Sequence, residues 1–272
     1  MPELPEVETV RVKLKERLIN KKINDVNVLW NNMIVDIHPN DFRDKLKGQI
    51  FYDIKRRGKW LIFELDNDCL LVHLRMEGKF FLKEIDSDLN KHEHVIFKLD
   101  DIELRFHDVR KFGKMYLLNK HELNHKKPLK ELGLEPFDEK LTISYLKNKY
   151  KNKNIPVKQI LLDQSIITGI GNIYADEILF LSNINPYTKS NELKKKDLEE
   201  IINNTRIILG NAIKQGGTTI RSYISLDDQK GTYQNELMVH MRNNLPCRIC
   251  NSKIKKETIA GRGTYYCPTC QK

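Results

Sequence analysis

The chain has 272 residues, of which 40% are hydrophobic and 31% charged, a mixture that supports packed cores and excludes a disordered or fibrous polymer. Lys plus Arg number 47 against 37 Asp plus Glu, a net charge of +10 that draws the chain toward polyanions, of which nucleic acid is the commonest large example. Apolar runs such as residues 70–72 and 207–209 are far too short to cross a bilayer, and the acidic start MPELPEVE has no signal-peptide pattern. The expectation is therefore a cytosolic protein in which thiols stay reduced, so the five cysteines call for an explanation other than disulfides.

Along the chain, Val7, Val10, Leu14 and Leu18 recur at steps of three and four and predict a first helix, with Pro5 in its first turn and Glu6 and Glu8 at its positive dipole end. From about residue 23 to residue 118 the period shortens. Runs rich in β-branched and aromatic residues at 50–54, 60–65, 70–74, 94–99, 102–106 and 114–118, with turn residues between them, predict a β-sandwich or barrel. A polar stretch with Pro128, Gly133 and Pro136 then looks like a linker. Beyond it, residues 142–151, 156–163, 172–181 and 193–214 carry helical periodicity. Thr168-Gly-Ile-Gly-Asn172 makes a tight turn with Asn172 placed as an N-cap. The expected class is α+β in two domains: an N-terminal helix plus β-sandwich catalytic domain over 1–127, a linker over 128–141, a helical domain over 142–236 and a zinc finger over 237–272.

Cys247-Arg-Ile-Cys250 and Cys267-Pro-Thr-Cys270 are two CxxC pairs at a spacing that suits one tetrahedral, structural zinc. A redox reading needs one CxxC in a thioredoxin-like context, which is not present, and Cys69 sits in a strand pattern as a small buried residue. Within the finger, Arg262 lies between Gly261 and Gly263 at a hairpin tip, where a guanidinium would face a phosphate or a base edge. At the other end of the chain, Pro2 would become a free secondary amine if the initiator methionine were removed. Such an amine is a nucleophile near neutral pH. Its attack on the anomeric carbon of a nucleotide sugar would expel the base and leave an iminium ion, whose charge acidifies C2′ and permits elimination of the 3′ phosphate. Glu3 beside it would move protons and Glu6 would support them.

These features together resemble the bacterial formamidopyrimidine-DNA glycosylase family. The resemblance is carried by MPELPEVE, Arg57-Gly-Lys59, His73-Leu-Arg-Met-Glu-Gly78, Asp108-Val-Arg-Lys-Phe-Gly113, Gly169-Ile-Gly-Asn-Ile-Tyr-Ala-Asp-Glu177, Gly216-Gly-Thr-Thr219 and the four-cysteine finger, in that order over the whole chain. The resemblance implies a helix–two-turn–helix domain, a β-hairpin zinc finger and a monomer acting on damaged double-stranded DNA in the bacterial cytoplasm, at the nucleoid. It implies a bifunctional enzyme that excises oxidised purines such as 8-oxoguanine and formamidopyrimidines through a Schiff base on Pro2, then cleaves the strand by β,δ-elimination. Glu3 would be its general acid/base, Glu6 a supporting carboxylate and Lys59 the catalytic lysine, with Arg262 and Asn172 gripping the phosphates around the lesion. His73 and Lys158 would lie near phosphate. Met76, Arg110 and Phe112 would fill the hole left by a flipped nucleotide. Ile220, Arg221, Ser222 and Tyr223 would close over the extruded base, with Glu77 also facing it.

The sequence departs from the family pattern where Met241-Arg242 stands for glycine-arginine and where Asn183-Ile-Asn185-Pro stands for glycine-isoleucine-histidine-proline. Two rival readings share much of this evidence. An endonuclease VIII-like enzyme would prefer oxidised pyrimidines, although the Leu4-Pro5-Glu6-Val7 start and the Arg-x-Phe wedge favour the purine enzyme. A non-catalytic zinc-bearing DNA-binding protein would explain the charge and the cysteines but not Pro2 or Lys59.

Overall fold

The apolar repeat at the start forms helix α1 (Leu4–Leu18), which buries Val7, Val10, Leu14 and Leu18 along one face and carries Pro5 in its first turn. The computed structural model describes residues 1–123, 125–218 and 231–272. They divide into two compact units, the first made of Met1–Lys130 with Thr218 and Gly231, the second of residues 131–217 and 232–272.

In the first unit the aromatic and β-branched runs become two sheets. One has the order β1 (Asp25–Val28), β7 (Glu93–Lys98), β8 (Glu103–His107), β6 (Lys79–Lys83). The other has the order β2 (Ile34–Val35), β9 (Lys114–Asn119), β5 (Asp68–His73), β4 (Trp60–Glu64), β3 (Asp53–Arg57). Pairing is antiparallel except between β2 and β9. Both sheets and α1 share one core, so the expected sandwich forms. Aromatic rings cross it in edge contacts, from Phe51 to Phe63 at 5.8 Å, Phe63 to Phe80 at 5.6 Å and Phe80 to Phe106 at 5.1 Å.

All six predicted strands exist, with ends shifted by up to a few residues. Helix α2 (Pro39–Leu46) and strands β1, β2 and β6 were not predicted. The helix buries only Phe42 and Leu46, too few apolar positions to establish a period, while β1 and β2 are too short to show alternation. Strand β6 follows directly on the His73–Gly78 motif.

Two glycines at strand connections press on the same ring. A Cβ on Gly78 would come within 2.7 Å of the Phe106 ring, and a Cβ on Gly113 within 2.6 Å. Phe106 is fully buried, so the β5–β6 turn and the β8–β9 turn both close on the tip of one closely packed ring.

The second unit opens with Gly133 and Leu134 hydrogen-bonded to the carbonyls of Gln164 and Ile166. Four helices follow: α3 (Ile143–Tyr150), α4 (Val157–Leu161), α5 (Asn172–Leu181) and α6 (Lys195–Lys214), near the predicted bounds. Thr142 caps α3 by accepting from Tyr145 N at 3.2 Å. Helix α6 buries Leu198, Ile201, Ile202, Ile208 and Leu209 on one stripe. After α6, the backbone amides of Thr232 and Tyr233 donate to the carbonyls of Gln215 and Gly217. The chain ends in the hairpin β10 (Lys255–Ile259) and β11 (Arg262–Tyr266). No helix among the described residues is long and apolar enough to cross a membrane.

Truncating Phe106 to Ala should lower stability by about 3–5 kcal/mol and loosen both turns together. A urea-unfolding midpoint unchanged from the parent would refute the shared-floor arrangement.

Candidate active site and nucleic-acid interface

The first residues of the chain are held inward. Pro2 and Glu3 are buried, Glu3 at 2% exposure, while Met1 is 37% exposed. Glu6, itself 4% exposed, reaches back so that Oε2 accepts from Glu3 N at 2.8 Å. Its Oε1 accepts from Thr218 N at 2.8 Å and from Thr218 Oγ1 at 3.1 Å. Three donors converge on one carboxylate, which satisfies a buried charge and fixes the segment ahead of α1. Glu6 therefore acts as an acceptor. Thr218 is the last described residue before 219–230, and the proposed lesion-facing residues Ile220, Arg221, Ser222 and Tyr223 lie outside the described residues.

Lys59 sits in the two-residue turn between β3 and β4, where Arg57 pairs with Trp60 and Gly58 takes φ 56°. The lysine is only 5% exposed. A brace that was not legible in the sequence ties this turn to α1. Arg56 donates to Glu8 Oε2 at 2.8 Å and to the Gly58 carbonyl at 3.1 Å, while Arg11 donates to Glu8 and to the Ile54 carbonyl. Nothing local pairs Glu8 with a residue on a distant strand, so only the fold reveals it. Burial lifts the Glu8 carboxyl, but its bonds to Arg11 and Arg56 outweigh that and hold it below the ordinary value.

His73, at the end of β5, accepts from Arg75 N through Nδ1 at 2.9 Å and meets the Trp60 ring edge-on at 4.7 Å. Burial, with the charges of Arg75 and Lys59, pushes its pKa down to about 3. It is thus a neutral imidazole with the hydrogen on Nε2, able to donate one bond.

Met76 and Glu77 occupy the β5–β6 turn, both half-buried. Arg110 and Phe112 occupy the β8–β9 turn and are exposed, with the Arg110 guanidinium 4.7 Å from the Phe112 ring centre. Neither Met76 nor Phe112 is a core residue, and Phe112 is 48% exposed. Buried Asp108 shapes the second turn by accepting from Arg110 N at 3.0 Å and Gly113 N at 2.7 Å. The two turns flank Phe106, so the structure brings Met76, Arg110 and Phe112 to one edge of the sandwich.

In the second unit Asn172 is the first residue of α5 and Gly171 holds the N-cap position, one residue from expectation. The Asn172 side chain is therefore released from capping, and Nδ2 donates to the Gly263 carbonyl at 2.8 Å. Arg262 is exposed and opens β11, facing Ile259, with Ala260 and Gly261 forming the left-handed tip at φ 49° and 72°. Lys158 differs from expectation. It is fully buried and bound to the Asn172 carbonyl at 2.9 Å and to Asp176, so it presents no surface to a phosphate.

Cys247, Cys250, Cys267 and Cys270 place their sulfurs within 4.8 Å of one another. Packed thiolates repel unless a dication sits among them, and this set fits a closed tetrahedral zinc. Cys69 is buried, and burial pushes its thiol up to about 11. Two departures from the family pattern acquire a physical meaning. Asn183 and Met241 both adopt left-handed backbone, at φ 56° and 61°, where glycine rests without strain. Asparagine tolerates this conformation, whereas methionine costs roughly 1–2 kcal/mol there.

Residues 1–115 match the formamidopyrimidine-DNA glycosylase N-terminal domain, residues 132–224 the H2TH domain of the same enzyme, and residues 244–272 the zinc finger found in FPG and IleRS. A protein of Bacillus cereus named formamidopyrimidine-DNA glycosylase is 44% identical over all of this chain and 99% of its own length. One of that name from Listeria monocytogenes is 42% identical over the full length of both. A Lactococcus lactis FPG mutant in complex with Fapy-dG DNA superimposes with a TM-score of 0.95 at 38% identity, covering all of both chains. The wild-type Lactococcus lactis FPG with DNA containing an oxidised pyrimidine gives 0.93 at 37% identity, also over all of both. The matched finger and the clustered cysteines identify one structural zinc.

Two outcomes follow for this site. Because the His73 ring is held neutral in the folded chain, its contribution is fully present above about pH 6.5 and is lost as pH falls toward about 3. His73→Asn, which keeps the Nδ1-like acceptor, should flatten the stability–pH curve in that window. An unchanged slope in urea titrations would contradict this. Cys250→Ser should abolish stoichiometric zinc and weaken DNA binding while sparing the rate on bound substrate. Full affinity for damaged duplex in the metal-free variant would refute the finger's role.

Proposed function

The chain belongs to the formamidopyrimidine-DNA glycosylase family, and on that premise we propose that it excises oxidised purines from duplex DNA and then cuts the strand. It is a DNA glycosylase of base excision repair that acts on damaged double-stranded DNA, in the bacterial cytoplasm at the nucleoid. The observation that carries the chemical reading is the buried, clasped start of the chain. Chain ends ordinarily fray unless something ties them down, so a buried Pro2-Glu3 pair held by a dedicated carboxylate calls for a purpose.

After removal of Met1, the Pro2 nitrogen attacks C1′ of the damaged nucleotide and the bond from C1′ to the base breaks. The base leaves with the electron pair and takes up a proton; the C1′–O4′ bond then opens, O4′ taking up a proton as the amine loses its own, and an iminium ion joins protein to the opened sugar. Loss of a C2′ proton then expels the 3′ phosphate, and a second elimination releases the 5′ phosphate. Glu3 is the group placed to move protons. Glu6 has its oxygens occupied by Glu3 N and Thr218, so its part is to hold Glu3 and the start of the chain in place. Lys59, beside neutral His73 and braced through Arg56, supplies positive charge for phosphate or for the departing base. Asn172 and Arg262 grip phosphates, Met76, Arg110 and Phe112 fill the vacated stack, and Ile220 to Tyr223 with Glu77 recognise the base. The zinc holds the finger and takes part in no step.

A second reading, preference for oxidised pyrimidines, is favoured by one observation: a similar Lactococcus lactis protein has been seen with DNA containing such a base. Borohydride trapping on matched duplexes carrying 8-oxoguanine or thymine glycol tests both. A covalent adduct at Pro2, formed faster on 8-oxoguanine, is the expected result. Faster trapping on thymine glycol would transfer the substrate assignment, and no adduct on either would reject the covalent mechanism.

A further inference from the structure

Asp176 lies one helical turn after Asn172 on α5, on the same face, and is 1% exposed. One of its oxygens meets the Lys158 amine, and Lys158 in turn binds the Asn172 carbonyl at 2.9 Å. The other oxygen lies 2.6 Å from His240 Nδ1. The His240 ring packs on Tyr265 of β11 at 4.9 Å, and the same strand returns to Asn172 through the Gly263 carbonyl at 2.8 Å. The contacts close a ring from Asn172 through Lys158, Asp176, His240 and β11 back to Asn172. Arg262, next to Gly263, is carried by that ring.

We propose that His240 is a positioning residue for DNA binding, its bond to Asp176 fixing the zinc hairpin so that Arg262 and Asn172 are held at the separation of two phosphates. This deepens the reading above and rests on Arg262 being a phosphate contact. Lys158 meets one oxygen of Asp176, and the bond from the other oxygen to His240 Nδ1 completes the ring. The segment is anchored a second time. Glu177 accepts from the backbone amides of Met238, Val239 and His240 at 2.8, 3.0 and 2.8 Å, which keeps residue 240 in place when its side chain is changed. Buried polar networks act as units, so cutting one member releases the others.

The experiment uses the zinc-loaded full chain and a duplex bearing a tetrahydrofuran abasic analogue. His240→Phe keeps a ring against Tyr265 but cannot bond Asp176, whereas His240→Asn keeps a donor near the Nδ1 position. Expected are roughly tenfold weaker binding for His240→Phe, near-parental binding for His240→Asn, and an unchanged single-turnover rate on bound 8-oxoguanine duplex. In an Arg262→Ala background, His240→Phe should add no further loss, because there is nothing left to position. If Arg262→Ala binds like the parent, the phosphate-contact reading fails. If Arg262→Ala weakens binding but His240→Phe does not, or the two losses simply add, the reading stands and the positioning role is overturned. Should His240→Phe fail to load zinc, His240→Asn and His240→Ala at equal zinc loading decide: a tight Asn and a weak Ala variant support the role, and equal affinities overturn it.

Discussion

A single buried carboxylate organises the start of this chain. Glu6 is almost inaccessible to water, and an unpaired charge in such a place would be costly, so its position makes sense only with its donors present. Those donors are Glu3 N at the head of α1 and the amide and hydroxyl of Thr218, from a segment more than two hundred residues away. The start of the chain is thereby tied to the root of the segment that runs on toward residues 220–223. The buried start of the chain and the residue that precedes its proposed lesion-recognition segment share one anchor, and neither can shift without disturbing the other.

The same device recurs elsewhere with different partners. Arg105, 1% exposed, bonds Glu93 and Glu103 and the Ser87 and Asp88 carbonyls, pinning the loop between β6 and β7. Glu177 collects three backbone amides, and burial lifts its carboxyl above the ordinary value although those amides pull it back. In each case a charge buried at a junction holds irregular backbone that apolar packing alone would leave adjustable. Regular elements supply the frame, while fully satisfied polar groups set the loops on which chemistry depends.

The parts legible in the sequence were those governed by local rules. Helical period announced α1, α5 and α6; alternation and turn residues announced six strands; cysteine spacing announced the metal site. The family motifs named Lys59, Asn172 and Arg262. What stayed hidden needed tertiary proximity. Glu8 and Arg56 look like ordinary helix and strand charges until α1 packs on β3. Lys158 looks like a surface cation until α4 meets α5 and buries it. Asn172 has the composition of a cap, yet Gly171 assumes that position and leaves its amide for the hairpin. His240 and Asp176 give no local sign of a connection. Helix α2 failed the periodicity test because two buried residues suffice for so short an element.

The arrangement of Gly78, Phe106 and Gly113 has a bearing on how such a protein can change over generations. Because one ring is the floor beneath both glycines, the three positions form an epistatic set. A bulkier residue at Gly113 is tolerated only after the aromatic has been trimmed, at Gly78 the Leu74 carbonyl, 2.5 Å from such a Cβ, stands in the way as well, and a trimmed aromatic leaves both turns unsupported until they are refilled. Lineages can therefore alter the tips, where Met76, Arg110 and Phe112 stand, far more freely than the hinges beneath them. Diversification of lesion preference would proceed by exchanging side chains on a frozen pedestal.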